Sequence, residues 1–254
     1  MEIIKALIRW IRGGVRALGF DVVRYRELPH DLDPGIRKTV ERVHDFTMTS
    51  PYRVAALCEA IQYIVENRID GDIVECGVWK GGSMMAAAYT LMQRGDRSRN
   101  LFLFDTFEGM TAPSGRDVSL TGQTAQQFMS VGEKTDPESM LCVASLEDVR
   151  RAMLGTGYDA SRIRFVKGKV EDTIPGHAPD RIALLRLDTD WYESTRHELE
   201  HLFPRLVLGG VLIIDDYGHW QGARQAVDEY LVKHDVPVLL NRIDYSGRSA
   251  IKIR

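Results

Sequence analysis

The sequence is poor in cysteine and has no cysteine pair at metal-binding spacing. Its three cysteines, Cys58, Cys76 and Cys142, are odd in number and widely separated. A disulfide framework needs an even set in a short secreted chain, and a zinc cluster needs closely spaced pairs. The sequence therefore indicates neither, and a reducing cytoplasm is the expected location.

Long apolar runs and an excess of positive charge are also missing. No stretch approaches the roughly twenty apolar residues of a membrane-spanning helix, and no small-residue cleavage site follows an apolar core at the N-terminus. The formal net charge of -3 gives no general attraction to nucleic acid. With 254 residues, the chain has the length of one large domain, or of one domain with a small appendage.

The first 18 residues predict a basic amphipathic helix. Apolar residues such as Ile4, Leu7 and Ile8 are interspersed with Lys5 and Arg9. Such a helix can bind an anionic membrane surface weakly, or it can pack on its own protein or a second subunit, which is the interpretation that we favour. We divide the chain into this helix with its connector or lid segment, residues 1–46, and a main domain, residues 47–254.

Two apolar runs in the main domain end abruptly in carboxylates. The run at 182–187 precedes Asp188, and the run at 209–214 precedes Asp215 and Asp216. Apolar runs without polar alternation are typical of parallel strands that are covered on both faces. Because the carboxyl ends of neighbouring parallel strands meet at one edge, where such sheets bind ligands, we expect the three aspartates to lie together.

Three carboxylates at one sheet edge repel one another unless a cation, a proton or basic side chains compensate. Mg²⁺ favours oxygen ligands of this kind. Asp188, Asp215 and Asp216 are therefore candidate metal ligands. The alternative is that these aspartates cap the helices and turns that follow the strands.

A strand followed by a glycine-containing turn and a helix extends from residue 71 into the region after Gly81. Glycines such as Gly77 let a ligand approach the backbone, and a helix N-terminus suits a carboxylate or phosphate. The spacing differs from the GxGxxG of dinucleotide-binding proteins, and the charge of Glu75 favours a cationic ligand such as S-adenosylmethionine. Asp105, at the end of the next strand, is placed either to bind ribose hydroxyls or merely to cap a turn.

Two loops are candidates to cover a ligand at this edge. Residues 106–141 are long, polar and contain several glycines, which is typical of a functional lid. The loop with Met48 precedes a helix that Ser50 caps and Pro51 starts, and this loop either folds over the ligand or forms a simple turn. At the C-terminus, two short runs flank residues 245–247 and predict a hairpin.

Four motifs are specific when they are taken together. They are Asp72-Ile-Val-Glu-Cys-Gly-Val-Trp-Lys-Gly-Gly, Phe104-Asp-Thr-Phe-Glu-Gly, Leu185-Arg-Leu-Asp-Thr-Asp-Trp-Tyr, and Gly209-Gly-Val-Leu-Ile-Ile-Asp-Asp-Tyr. In these motifs the chain resembles the bacterial macrocin and mycinamicin O-methyltransferase family. The resemblance implies an α/β, Rossmann-like methyltransferase fold, with a mostly parallel seven-stranded sheet, a terminal antiparallel hairpin and helices on both faces. It also implies a homo-oligomer.

The activity that the resemblance implies is Mg²⁺-assisted transfer of a methyl group from S-adenosylmethionine to a hydroxyl of a sugar in a natural product or glycan. Asp188, Asp215 and Asp216 would then be the metal ligands. The donor-binding residues would be Glu75, Gly77, Trp79, Gly81, Gly82, Ser83, Asp105 and Met48. Asp188 is the first candidate for the general base, and His219, with an ordinary pKa near 6.5, is the alternative.

Three other functions stay open on the sequence. A methyltransferase of this fold could act on a hydroxyl that is not part of a sugar. A membrane-surface protein without catalysis would use the N-terminal helix, but it would not need three carboxylates. A nicotinamide-dependent oxidoreductase would share the strand-turn-helix start, but the missing third glycine and Glu75 argue against it.

Overall fold

The structure, a computed structural model, describes residues 31–131 and 141–254, together with Val15, Leu28 and Pro29. Apart from Val15, the predicted helix at 1–18 lies outside the described residues, and its membrane or subunit contact stays a prediction. The chain divides into Met1–Leu32 and a compact unit, Asp33–Arg254. The domain boundary after residue 46 stays a prediction. Within the described ranges, no helix is long and apolar enough to cross a membrane.

Seven strands form one sheet in the part of the chain that the structure describes. They are β1 (Asp72–Cys76), β2 (Leu101–Asp105), β3 (Ile163–Lys167), β4 (Ile182–Leu187), β5 (Leu206–Ile214), β6 (Asn241–Arg242) and β7 (Arg248–Ile251). The strand order is β3-β2-β1-β4-β5-β7-β6, and β7 runs antiparallel to both of its neighbours. The predicted fold class, including the terminal hairpin, is confirmed. The order reverses between β1 and β4, which is where open sheets of this kind bind ligands.

Helices cover both faces of the sheet. The described helices are α1 (Pro34–Val43), α2 (Pro51–Glu66), α3 (Gly82–Gln93), α4 (Ala125–Val131), α5 (Leu146–Leu154), α6 (Val170–Thr173), α7 (Tyr192–Leu202) and α8 (Gln221–Lys233). The predicted cap of α2 is confirmed, because the Ser50 side chain accepts a hydrogen bond from the backbone N–H of Arg53, and Pro51 occupies the first turn.

Between the two apolar runs that end in carboxylates, the sequence predicts a helix over residues 193–206, and the structure ends this helix earlier. Helix α7 ends at Leu202, and a 3-10 turn, Phe203–Arg205, follows it. Pro204 cannot donate the backbone hydrogen bond that a continuing α-helix requires. Strand β5 therefore begins at Leu206, three residues earlier than the apolar run indicated.

The two faces of the central strands carry different side chains. Val74 and Cys76 of β1 and Leu185 of β4 belong to an apolar cluster with α7 and α8. Because side chains alternate along a strand, Glu75 and Arg186 point to the opposite face. These two residues are paired across β1 and β4.

The central strands also end in register, which positions the site. Cys76 pairs with Leu187, and Leu187 pairs with Ile214. The residues that follow the three strands, among them Asp188 and Asp215, therefore lie side by side at one edge of the sheet.

Candidate active site

A cavity of about 260 Å³ opens over the carboxyl ends of β1, β2, β4 and β5. Most of the predicted site residues line it, namely Met48, Gly77, Trp79, Ser83, Asp105, Asp188, Asp215, Asp216 and His219. Among the described residues, Glu75, Gly81 and Gly82 are predicted site residues that do not line the cavity. Nine of the predicted site residues therefore meet at one cavity, and the other three lie outside its lining.

Asp105 holds the turn that follows β1. Its Oδ2 accepts hydrogen bonds from the backbone N–H groups of Val78 at 2.6 Å and Trp79 at 3.1 Å. Its Oδ1 accepts one from the backbone N–H of Phe107 at 2.6 Å. Trp79 adopts a φ of 47°, an uncommon conformation for a residue with a side chain. The carboxylate therefore fixes the turn on the cavity wall where the donor-binding acid is predicted.

Gly77 lies where the glycine turn touches the loop after β4. A Cβ atom added to Gly77 would lie 1.9 Å from the carbonyl oxygen of Asp188, and the φ of Gly77 is +81°. Both observations require glycine at this position. The turn predicted to bind the donor and the loop that carries the first aspartate are therefore packed directly on each other.

Gly81 and Gly82 serve close packing at the start of α3. A Cβ atom on Gly81 would lie 3.3 Å from a methyl group of Val149, and one on Gly82 would lie 2.6 Å from the carbonyl oxygen of Phe46. Both contacts face neighbouring elements of the protein. The donor contacts predicted for these two glycines stay a prediction.

Four aspartates gather at the other side of the cavity. Oxygen atoms of Asp188, Asp215 and Asp216 all lie within 4.8 Å of one another. Asp190 joins them, because its backbone N–H donates to Asp216 at 3.3 Å and its Oδ1 accepts from the indole N–H of Trp220 at 2.8 Å. The sequence analysis assigned no role to Asp190, although it follows the same strand as Asp188.

Burial and mutual repulsion keep these carboxyl groups from ionising easily. Burial, followed by the charges of neighbouring carboxylates, raises the pKa of Asp188 and Asp216 well above the usual range and that of Asp190 to about 7. The Asp188 side chain is 28 % exposed, but it faces a cavity lined by other acids. When all of these carboxyl groups are ionised, the cluster therefore carries an excess of negative charge.

Arg186, which the sequence patterns did not single out, neutralises part of this charge. Its side chain is buried, with 3 % of the residue exposed. Its Nη1 donates to Asp188 Oδ2 at 2.6 Å and to Glu75 Oε1 at 2.6 Å, and its Nη2 donates to Asp215 Oδ1. The available signal was an arginine inside an otherwise apolar strand, because a buried charge needs a partner.

Arg53 reaches the same cluster from the start of α2. Its Nη1 donates to Asp215 Oδ2, and its Nε donates to Asp244 at 3.0 Å. Asp244 also accepts hydrogen bonds from the Ser50 hydroxyl at 2.6 Å and from the backbone N–H of Gly247 at 2.7 Å. Arg53 thus joins the loop before α2, the terminal hairpin and the aspartates.

The charge balance indicates what the cluster can hold. Six carboxylates, those of the four aspartates, Glu75 and Asp244, surround the two guanidinium groups of Arg186 and Arg53. Arg186 binds Oδ2 of Asp188, and the backbone N–H of Asp190 binds Oδ2 of Asp216. Carboxylate oxygens with uncompensated negative charge suit a hard divalent cation. The predicted metal ligands therefore fit such an ion.

Burial lowers the pKa of His219, and the charge of Arg53 lowers it further. The His219 ring lies at the cavity wall, with its centroid 4.9 Å from that of Trp220 and 6.1 Å from that of Tyr245. A neutral imidazole in this place can accept a proton. His219 therefore stays a candidate base beside the aspartates.

The first residues of the predicted lid, among them Thr106 and Met110, line the cavity, and later residues of it are docked on other elements. Asp117 is buried, and its Oδ1 accepts a hydrogen bond at 2.8 Å from the backbone N–H of Tyr192, at the start of α7. Phe128 packs edge-on against Trp220, with ring centroids 5.6 Å apart. Residues 132–140 of the predicted lid lie outside the described residues.

We expect the stability of the metal-free protein to fall as the pH rises from about 4 to about 7. Burial raises the pKa of Asp190 to about 7, whereas an aspartate in the unfolded chain has a pKa near 4. In this window the folded state keeps protons that the unfolded state has released, so the free energy of unfolding decreases with pH. Thermal unfolding in EDTA at several pH values measures the slope.

The matched variant for this test is Asp190→Asn, which has no proton to lose at this position. We expect a shallower slope in the variant. A melting temperature that rises throughout the window in the wild-type protein would contradict the assigned protonation.

The sheet order, the terminal antiparallel strands and a cavity over the strand ends define a Rossmann-like methyltransferase. The model of the macrocin O-methyltransferase family (TylF) matches residues 36–249. The chain belongs to this family, and it is an O-methyltransferase, as the resemblance in its motifs implied.

Characterised relatives and solved structures agree with this assignment. Demethyldecarbamoylnovobiocin O-methyltransferase of Streptomyces niveus is 33 % identical over 201 residues, which are 79 % of this chain and 73 % of the relative. Mycinamicin III 3''-O-methyltransferase of Micromonospora griseorubida is 31 % identical over 201 residues, 79 % of this chain and 76 % of the relative. The structure of the O-methyltransferase NovP matches with a TM-score of 0.73 and 28 % identity, over 88 % of this chain and 98 % of NovP.

Proposed function

We propose that this protein transfers a methyl group from S-adenosylmethionine to a hydroxyl of a sugar in a natural product or glycan, with a divalent cation such as Mg²⁺. The observation that carries the proposal is the contact between Gly77 and the backbone of Asp188. This contact puts the glycine turn and the aspartate cluster in one cavity. A relative from Streptomyces olivaceus is named as the 4'-O-methyltransferase of a tetracenomycin that carries a rhamnosyl group, which supports a sugar acceptor.

The donor half of the site would consist of the turn after β1 and the residues around it. Gly77 lines the cavity at the turn, and Ser83 lines it at the start of α3. The backbone N–H groups at the start of a helix suit the donor carboxylate. Asp105 lines the cavity at the end of β2, the position from which an acid in this kind of sheet binds ribose hydroxyls. Met48 lies at the wall and is 44 % exposed.

Asp188, Asp215 and Asp216 would hold the cation. When it is bound, the cation supplies positive charge that favours the ionised form of the acceptor hydroxyl. Arg186 and Arg53 keep Asp215 in place by binding one of its oxygens each. Transfer breaks the bond between the donor sulfur and its methyl carbon and forms a bond from that carbon to the acceptor oxygen.

The hydroxyl proton must pass to a base on the protein. Asp188 is the first candidate by the family resemblance, and His219 is the alternative. Asp190 is a further candidate, because its pKa of about 7 is close to the value that suits a general base near neutral pH. Its hydrogen bond from Trp220 fixes the direction of its carboxylate.

Calorimetric titration with S-adenosylhomocysteine and then with Mg²⁺ tests the proposal. We expect both to bind the wild-type protein and only S-adenosylhomocysteine to bind Asp215→Ala, because Asp215 is a predicted ligand of the cation alone. Binding of S-adenosylhomocysteine without Mg²⁺ would retain the methyltransferase and reject the cation. If neither binds, the proposed donor is wrong.

A methyl-transfer assay addresses the acceptor. Labelled S-adenosylmethionine is supplied with glycosides that carry free sugar hydroxyls and, separately, with catechols. Methylation of catechols alone would favour the alternative of a non-sugar hydroxyl. Homo-oligomer formation, membrane-surface contact through residues 1–18 and location in the cytoplasm stay predictions.

A further inference from the structure

We propose that Glu75 is a positioning residue of the aspartate cluster, which it serves by holding Arg186, and that it does not touch the methyl donor. Its effect is to keep the affinity of the cluster for a divalent cation high. This inference rests on the proposed function, because the property that Glu75 sets is cation binding. It also reassigns a residue that the sequence places with the donor.

The position of Glu75 separates it from the donor half of the cavity. Only 1 % of the residue is exposed, and it lies outside the set of described residues that line the cavity. Its side chain points to the face of the sheet opposite Val74 and Cys76, where it is paired in register with Arg186 on β4. The strand geometry thus directs Glu75 at the arginine.

The hydrogen bonds show how Glu75 acts on the cluster. One nitrogen of Arg186, Nη1, is shared equally between Glu75 and Asp188, at 2.6 Å from an oxygen of each. The second oxygen of Glu75 has no hydrogen-bond partner among the described residues. A buried carboxylate in this state is costly on its own, which indicates that its charge has a role that a neutral side chain would not fill.

That role follows from the direction of the electrostatic forces. A guanidinium group beside two cation ligands competes with the cation for them and repels it. Glu75 offsets the positive charge of Arg186 and shares its Nη1, so Arg186 can orient Asp188 and Asp215 without neutralising them fully. Without the charge of Glu75, Arg186 would hold the two aspartates more tightly and the cluster would attract a cation less.

The decisive variant is Glu75→Gln, which keeps the size of the side chain and its acceptor oxygen. We expect Mg²⁺ to bind about tenfold more weakly, the effect of one unit charge at several ångströms in a partly screened site. We expect S-adenosylhomocysteine, titrated in EDTA, to bind within about twofold of wild type, because Glu75 is not in the donor half. Both values come from calorimetry and neither needs turnover.

Two further variants control this measurement. Asp72→Asn removes a carboxylate from the other end of the same strand, where Asp72 binds Asn100, and we expect it to leave Mg²⁺ affinity unchanged. Glu75→Asp keeps the charge with a shorter side chain, and we expect Mg²⁺ affinity within about threefold of wild type. These two results together would show that the charge of Glu75, and not its volume, sets the Mg²⁺ affinity.

Each other outcome overturns the inference in a recognisable way. Weaker binding of S-adenosylhomocysteine by Glu75→Gln, with Mg²⁺ binding unchanged, would make Glu75 a donor ligand. A lower melting temperature with both affinities unchanged would leave only a structural role. Failure of the wild-type protein to bind Mg²⁺ would contradict the proposed function itself, whereas wild-type binding that Glu75→Gln does not alter contradicts this inference alone.

Discussion

Replacement of Asp188 by asparagine is expected to reduce methyl transfer by roughly a thousandfold, the scale seen when one pre-organised electrostatic group is lost, while donor binding survives. Asparagine has the same size as aspartate but no charge, and one of its two terminal atoms is a donor where the cation and Arg186 need acceptors. The contact with Gly77 uses the backbone of Asp188, which the substitution keeps. The donor half of the cavity should therefore be intact.

Three measurements on Asp188→Asn separate its possible roles. Single-turnover transfer from labelled S-adenosylmethionine gives the rate, and calorimetry gives the affinities for S-adenosylhomocysteine and Mg²⁺. If both the rate and Mg²⁺ binding are lost, Asp188 is a cation ligand. If the rate is lost and Mg²⁺ still binds, Asp188 is a base. The control is Asp180→Asn, an exposed aspartate just before the same strand. Substantial residual turnover would remove Asp188 from both roles.

The sequence predicted the parts of this fold that depend on local patterns. Apolar runs of strand length, and the Gly, Pro and Ser residues that bound them, predicted the central strands and the helix starts near Pro51 and Gly81. The meeting of Asp188 with Asp215 was also predictable, because parallel strands that end in register bring the residues after them to the same edge.

Contacts between distant segments account for what the sequence did not predict. Arg53 binds Asp215 across 162 positions of the chain, and no periodicity in a helix start indicates which strand end it will reach. The position of Glu75 was ambiguous for another reason. A strand covered on both faces has apolar residues throughout, so its sequence does not show which face one carboxylate will occupy.

Arg186 was not predicted either, although it has a readable signal, since it interrupts the apolar run of β4. A charge in such a strand must be paired to be tolerated. All three acids that it binds, Glu75, Asp188 and Asp215, were already in the predicted site. Because Arg186 must be paired, its position in β4 predicts the centre of the charge network.

The structure makes Arg186 the residue whose loss should affect stability most. In Arg186→Met, a side chain of similar length replaces the guanidinium, and Glu75, Asp188 and Asp215 lose their shared partner. Removing one member of a buried charge network costs roughly 3–5 kcal/mol. We expect the melting temperature in EDTA to fall by about 10 °C. Arg181→Met, which removes an exposed arginine ahead of the same strand, should change it little.

The response of Arg186→Met to Mg²⁺ distinguishes a charge network from simple packing. If the aspartates form a cation site, the variant leaves them with more uncompensated negative charge, so Mg²⁺ should bind it more tightly than it binds the wild-type protein. Because the stabilisation by a ligand that binds only the folded state rises with the logarithm of its affinity, Mg²⁺ should restore more stability to Arg186→Met than it adds to wild type. Equal stabilisation of both proteins would show that the charge of Arg186 does not act on the cation site and that Arg186 stabilises the fold through packing.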